Sequence, residues 1–313
     1  MKLQQLRYLT EVAKQNLNLS QAAEALHTSQ PGISKQIRLL EEELGVEIFV
    51  RSGKRVTAIT APGTAVIAIA KRMLQDAKNL KEVSQEFSSE GSGSLTIATT
   101  HTQARYALPP VIKRFMAIYP KVRLNLHQGS PLQIAEQVSS GKADLAIATE
   151  ALDQFDTLVM LPCYQWNRCV ITPPKHPLLK EKKLTLEAIA QYPIITYDFA
   201  FTGRSKINQA FEKRGLKPHV ALDAIDADVI KTYVELGLGV GIIAYMAFDP
   251  LRDKHLRALD ASHLFESSTT RIGLKRGQFL RGYVYDFIEL FAPQLTRKGV
   301  EQAMLGAGTN YEL

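Results

Sequence analysis

NLSQAAEALHTSQPGISKQIRLLEEELG (Asn18–Gly45) holds two helix starts and one helix stop within 28 residues. Asn18 stands where an N-cap belongs, with Gln21 three residues on, the spacing of a capping box. Ala22, Ala23 and Leu26 give that helix a small-residue face that a second helix can cross closely. Ser29 caps the next helix, and Pro31 lies in its first turn, where the missing N–H costs nothing. Ile33, Ile37, Leu40 and Leu44 recur on one face and Gly45 ends the run. The other face presents Gln30, Ser34, Lys35 and Arg38, side chains able to bond base edges and phosphates, while Glu41, Glu42 and Glu43 fall at the far end. Charges on a helix most often only face water, so the neighbouring segments decide.

Upstream, residues 3–14 form an amphipathic helix with Leu6, Leu9, Val12 and Ala13 on one side. Downstream, EIFVRSGKRVTAI (Glu47–Ile59) gives two short strands around a Ser-Gly turn carrying Arg51, Lys54 and Arg55. A basic wing beside such a helix is a second grip on a phosphate backbone. Residues 60–87 then predict one long helix, with Thr60 as cap and Pro62 in the first turn. Val66, Ala70, Met73, Ala77, Leu80, Ser84 and Phe87 lie along it at near-heptad spacing, the stripe of a dimer helix.

Bulk composition neither makes nor breaks a nucleic-acid partner. The 313 residues carry a net charge of +7, yet residues 1–90 hold 12 Lys and Arg against 10 Asp and Glu, so placement has to carry the case. Cys163 and Cys169 read as buried thiols of a reducing compartment, and without nearby histidines they make a poor zinc site. No leader and no apolar run of membrane-spanning length is evident, which predicts a cytoplasmic protein with no membrane partner.

The stretch AAEALHTSQPGISKQIRLLEEELGVEIFVRSGKRVTAITAPG (Ala22–Gly63) resembles the winged helix-turn-helix of the LysR-type transcriptional regulators, without a gap from Leu3 to Gly63. The resemblance implies that Asn18, Ser29, Gln30, Pro31, Ser34, Lys35 and Arg38 lie at the DNA, with Gln30, Pro31, Ser34 and Lys35 near base edges. It places Arg51, Lys54 and Arg55 of the wing near phosphates. It further implies promoter DNA, RNA polymerase and other copies of the chain, as dimer or tetramer, as partners.

SSEGSGS (Ser88–Ser94) is a hinge, after which short apolar runs alternate with helical stretches: LTIAT, VRLNLHQ, DLAIAT, CVIT, PIITY and GVGIIA. The expected fold is α+β overall: a winged helix-turn-helix (1–59), a linker helix (60–87), a hinge (88–94) and a two-lobed α/β effector domain (95–293), ending in a tail (294–313). Lobe I takes about 95–162 and 267–293, lobe II about 163–266, in largely parallel sheets.

TTHTQARYALP (Thr99–Pro109) follows the first of those strands. Pro109 and Pro110 predict a kink and a helix from Val111 to Tyr119. A strand ending in a polar turn and a helix N-terminus suits an anion, and Thr100, Thr102 and Gln103 add donors without charge. Similar turns hold Ser130, Thr149 and Thr202, the last followed by Gly203 at a close-approach position. Arg204 reads equally as an anion contact or a solvated charge; Trp166, between Gln165 and Asn167, is a candidate contact; His101 and His127 read as structural. TTHTQARYALP, QGSPLQIAE, DLAIATEAL, LPCYQWNRCV, ITYDFAFTGRS and DADVIKTYVELGLGVGIIA are similar to the cysteine-regulon subgroup of the same family, over residues 1 to about 293. That resemblance implies a regulator, chiefly an activator, of sulfur assimilation and cysteine biosynthesis. Its effector, acetylserine, sulfate or a related anion, would lie between the lobes at Thr100, Thr102, Gln103, Ser130, Thr149, Trp166 and Thr202. A regulator of organosulfonate or sulfate-starvation genes in the same family is the alternative. A transporter's solute-binding protein explains only the second part of the chain. An enzyme lacks a nucleophile–base pair, a metal cluster or a nucleotide loop, so no cofactor or metal is expected.

Overall fold

Asn18 begins the first tertiary crossing by local chemistry alone: its side chain accepts hydrogen bonds from the Ser20 and Gln21 amides at 3.0 and 3.1 Å. The computed structural model describes every residue except 54, 89–90, 150–154, 200–202 and 307–313. It divides into two units, residues 1–88 with 277–279, and the remainder of the chain.

In the first unit, α1 (Leu3–Lys14), α2 (Leu19–Ala25) and α3 (Gln30–Leu44) pack around Leu6, Leu9, Val12, Ile33, Ile37 and Leu40. Ala22 and Ala23 are buried, as a close crossing of α2 by α3 requires. Ser29 caps α3 through the Gly32 amide, and Gly45 ends it at φ 69°, where a side chain would be strained. One expected core position moves: Leu44 is exposed, and Glu41 is buried in its place. Strands β1 (Phe49–Ser52) and β2 (Arg55–Ile59) form the antiparallel wing. Thr60 then caps α4 (Ala61–Ser88) by accepting from the Gly63 amide. Val66, Ala70 and Met73 pack on the core of the first unit, whereas Leu80 and Phe87, at the far end of the same stripe, are exposed.

The second unit contains two five-stranded sheets. Lobe I begins with β3 (Gly93–Thr99), α5 (Leu108–Ile118), β4 (Val122–Gln128), α6 (Pro131–Ser139), β5 (Leu145–Thr149) and β6 (Leu158–Trp166). Lobe II follows with β7 (Arg168–Thr172), α7 (Leu186–Ile189), β8 (Ile194–Tyr197), α8 (Arg204–Glu212), β9 (Val220–Ala224), α9 (Ala227–Glu235), β10 (Val240–Ala244) and β11 (Arg257–Asp260). The chain returns to lobe I as β12 (Ser268–Lys275), α10 (Gly282–Phe291) and α11 (Arg297–Met304).

The sheet orders are β4-β3-β5-β12-β6 and β11-β7-β10-β8-β9. Each sheet has two parallel and two antiparallel pairings, so the sheets are mixed rather than largely parallel. The strands that cross between lobes supply the antiparallel members. The outward crossing falls at Asn167, later than residue 163, because β6 stays paired with β12, past a register shift at Thr270/Arg271, through the Ser268–Trp166 pair. The C-terminal segment is also less of a tail than expected. Leu295 and Val300 are buried in the lobe I core with Phe115 and Phe287, each such burial being worth about 1.5–3 kcal/mol.

Candidate functional site

In lobe I the carboxyl ends of β3 and β5 lie side by side, with Thr99 opposite Ile147. In lobe II the carboxyl ends of β8 and β10 do the same, the Ala244 amide donating to the Tyr197 hydroxyl. Such strand ends are where open α/β sheets place ligands. Thr100 follows β3, Thr149 ends β5, Trp166 ends β6, Tyr197 ends β8 and Ala244 ends β10. Together with His101, Thr102, Gln103 and Ile225 they line a single narrow cleft. No carboxylate is among the described residues of that lining.

The polar groups of the wall differ in how they are engaged. The Gln103 amide is buried and used at both ends: it donates to the Thr270 hydroxyl at 3.0 Å and accepts from the Tyr164 hydroxyl. Gln103 therefore both shapes the wall and lines the cleft. The Thr102 and Tyr197 hydroxyls both face the cleft, one from each lobe, and Tyr197 accepts from the Ala244 amide at 3.3 Å. Burial pushes the Tyr197 phenol up to about 12, so it remains a neutral donor. The Trp166 ring is 9% exposed, and its Nε1–H has no partner among the described residues. Leaving such a donor unsatisfied costs about 1–3 kcal/mol, recovered by any acceptor that enters.

Three sequence expectations change here, and one falls outside the described residues. Ser130 does not line the cleft: it caps α6 in a reciprocal box with Gln133. Thr202 lies outside the described residues, and the α8 cap position is Gly203. His101 belongs to the cleft wall, with a buried Nδ1 that has no partner among the described residues, whereas His127 lies at the surface against Gln137. Arg204 is neither a solvated charge nor a cleft group: it is buried, bonded to the Tyr197 carbonyl, Asn208 and Asp223.

The helix after β3 also begins differently. The turn Gln103–Ala107 is π-helical, and α5 starts at Leu108 with both prolines in its first turn. The Leu108 amide reaches back to the Gln103 carbonyl, and the wider turn accommodates two residues that donate nothing. From this turn the Tyr106 hydroxyl donates to Asp228 of α9 at 2.5 Å, and Lys231 sits 5.1 Å from the Tyr106 ring centre. Arg105 and His101 also face Asp228, at 3.4 and 3.8 Å. These tying residues were not singled out in the sequence, because Tyr106 and Asp228 are 122 positions apart.

The two cysteines are free and buried, and burial pushes both thiols up to about 12, which leaves them unreactive.

In the first unit, Pro31, Lys35, Arg38 and Arg55 are exposed, and Gln30 and Ser34 are half-buried. Asn18, Gln30 and Arg55 border one depression between α2, the start of α3 and the wing. Ser29 and Asn18 spend their acceptor oxygens as helix caps. Arg51 ion-pairs with Glu41 at 2.7 Å, and Glu41 also accepts the Ile48 and Phe49 amides. Glu41 thus fastens the wing to α3 instead of standing apart at the helix end. Lys54 lies outside the described residues.

A winged helix-turn-helix and a two-lobed cleft lined by neutral donors, carried on one chain, define a ligand-responsive DNA-binding regulator. Residues 3–64 match the bacterial regulatory helix-turn-helix protein model of the lysR family, and residues 88–296 the LysR substrate binding domain. The chain belongs to the LysR family of transcriptional regulators. It is 58% identical over 295 residues to the HTH-type transcriptional regulator SsuR of Burkholderia cenocepacia, covering 94% of this chain and 96% of that one. It is 55% identical to the regulator CysB of the same organism over the full length of both. The crystal structure of the cofactor-binding domain of the Cbl transcriptional regulator covers 69% of this chain and 94% of its own, at 46% identity and a TM-score of 0.67. No helix among the described residues is long and apolar enough to cross a membrane.

Proposed function

We propose that the chain regulates genes of sulfur assimilation and cysteine biosynthesis, chiefly as an activator, in response to a small anion such as acetylserine or sulfate held in the cleft. The unpartnered, buried Nε1–H of Trp166 is the observation that carries this. It needs an acceptor in a wall that otherwise offers threonine and tyrosine hydroxyls and, among the described residues, no carboxylate. Thr100, Thr102, Thr149 and Trp166 make the contacts, with Tyr197 and His101 added from the structure. Gln103 supports the wall, and Ser130 acts only as a helix cap. Gln30, Pro31, Ser34 and Lys35 read base edges, and Arg38, Lys54 and Arg55 hold phosphates. The exposed end of the α4 stripe, Leu80 and Phe87, supports self-association as a dimer or a dimer of dimers on promoter DNA, where RNA polymerase is engaged.

Trp166 is the sole tryptophan, so its emission reports the cleft directly. Titration with acetylserine and with sulfate should change that emission saturably, and footprinting at a cysteine-biosynthesis promoter should shift with the ligand. If neither anion binds, the cleft reading is wrong. Identities of 58% to the SsuR-named relative and 55% to the CysB-named one make a sulfonate-utilisation promoter the second footprinting target.

A further inference from the structure

We infer that Arg168 is a positioning residue for the effector: it holds the Trp166 indole in the cleft wall and ties that wall to both crossings between the lobes. This rests on the cleft being a small-anion site.

Arg168 opens β7, one residue beyond the outward crossing. At 1% exposure it is the largest side chain so deeply buried among the described residues. Its guanidinium carbon lies 5.0 Å from the Trp166 ring centre. Nη1 donates to the Glu266 carbonyl and Nη2 to the Ser268 hydroxyl, both at 2.8 Å. Glu266 and Ser268 belong to the return crossing, and Ser268 pairs directly with Trp166 between β12 and β6. From the other side the start of α8 closes over the same group: a Cβ at Gly203 would lie 2.1 Å from Nη2, and Gly203 holds φ 88°. One side chain therefore touches the cleft wall, both crossings and the mouth of α8.

The residue type follows from these contacts. A planar guanidinium can stack on the indole face while its edge donates to two acceptors, whereas an ammonium offers neither the plane nor the fixed fork. The buried cation also stands behind the indole that lines the cleft.

The test uses the full-length chain and its single tryptophan, with sulfate and acetylserine as probes. Arg168→Lys removes the stacking plane. Ser268→Ala is the milder change, removing one acceptor and leaving the cation in place. Each should shift the unliganded Trp166 emission and weaken sulfate binding roughly two- to tenfold, the worth of one hydrogen bond. The double variant should lose little more than Arg168→Lys alone, because both changes act on one contact. A purely architectural role would lower the melting temperature but leave the emission maximum and the sulfate affinity of the folded protein unchanged, and that result overturns the inference. Fully additive losses overturn it as well. If the parent protein binds neither anion, the cleft assignment fails and this role with it; if the parent binds and Ser268→Ala matches it, the role of Arg168 alone is overturned.

Discussion

Glu41 shows how one charged residue can serve the fold rather than the ligand. It is buried on α3, accepts two amides from the start of the wing and pairs with Arg51. Glu41→Ala should cost about 1–3 kcal/mol, since it strands buried donors, and thermal unfolding of the DNA-binding unit would measure it. Glu41→Gln, which keeps an acceptor, should cost less. On DNA the wing cations should then separate. Arg55→Ala, at an exposed site, should flatten the salt dependence of binding by about one unit. Arg51→Ala should weaken binding with nearly the parental slope, because its charge is already neutralised by Glu41. Lys35→Ala should weaken target DNA more than random DNA, as base contacts do. Equal slope changes from both wing variants would contradict this division. The caps at Asn18 and Ser29 and the stop at Gly45 were legible in the sequence because their partners lie within three or four residues. The buried roles of Glu41, Arg168 and Arg204 were not, because each is defined by partners that only the folded chain brings near, such as the Ile48 amide for Glu41 and Asp223 for Arg204.

At the scale of elements, the turn after β3 does two jobs. Its residues line the cleft, and its Tyr106 reaches into lobe II, where the ring packs beside the core of Ile230 and Val234. The prolines announced an irregularity in the sequence. Its form, a π-helical turn ahead of a regular α5, also presents Tyr106 to Asp228. Tyr106→Phe removes a hydrogen bond between lobes to a charged acceptor. Because Asp228 is about a third exposed, solvent screens part of its worth. The expected result is faster amide exchange in residues 101–107 and roughly two- to tenfold weaker effector binding. The tie should also be insensitive to pH over a wide range. Burial opposes the Asp228 charge, but the Tyr106 hydroxyl and Lys231 outweigh it and hold the carboxyl below 3.8, its ordinary value. Burial likewise opposes the Lys231 charge, yet Tyr106, Asp253 and Asp228 hold the ammonium above 10.5. A depressed acid contributes above its ordinary value and is lost as pH falls; a raised base contributes below its own and is lost as pH rises. Between those limits neither group titrates, and burial keeps Tyr106 protonated to about 12. Exchange in residues 101–107, corrected for intrinsic rates, should stay constant from about pH 5 to 9; a step near neutrality would show that another group controls the tie.

At the scale of the molecule, one chain carries two binding units, and their coupling is a free energy that can be measured from either end. The division itself was legible: the shift from helical periodicity to alternating strands at SSEGSGS marks it, and the strand ends that carry Thr100 and Thr149 follow from the α/β pattern. What pattern alone could not give was the opposing wall, because Tyr197 and Ala244 look like ordinary interior residues until the second sheet sets their strand ends beside the first. For such regulators the coupling is typically about 1–3 kcal/mol, so sulfate or acetylserine should change promoter affinity roughly five- to a hundredfold. Linkage makes the effect reciprocal: saturating promoter DNA must change the effector Kd, read from Trp166 emission, by the same factor. Thr102→Ala supplies the control. It removes a hydroxyl that faces the cleft, while the reader's core and the wing lie in the other unit. It should therefore leave unliganded DNA affinity within about twofold while reducing both arms of the cycle together. A variant that loses the DNA-side response but keeps the full effector-side shift would violate the linkage, and the cleft would then not be the site through which these anions act.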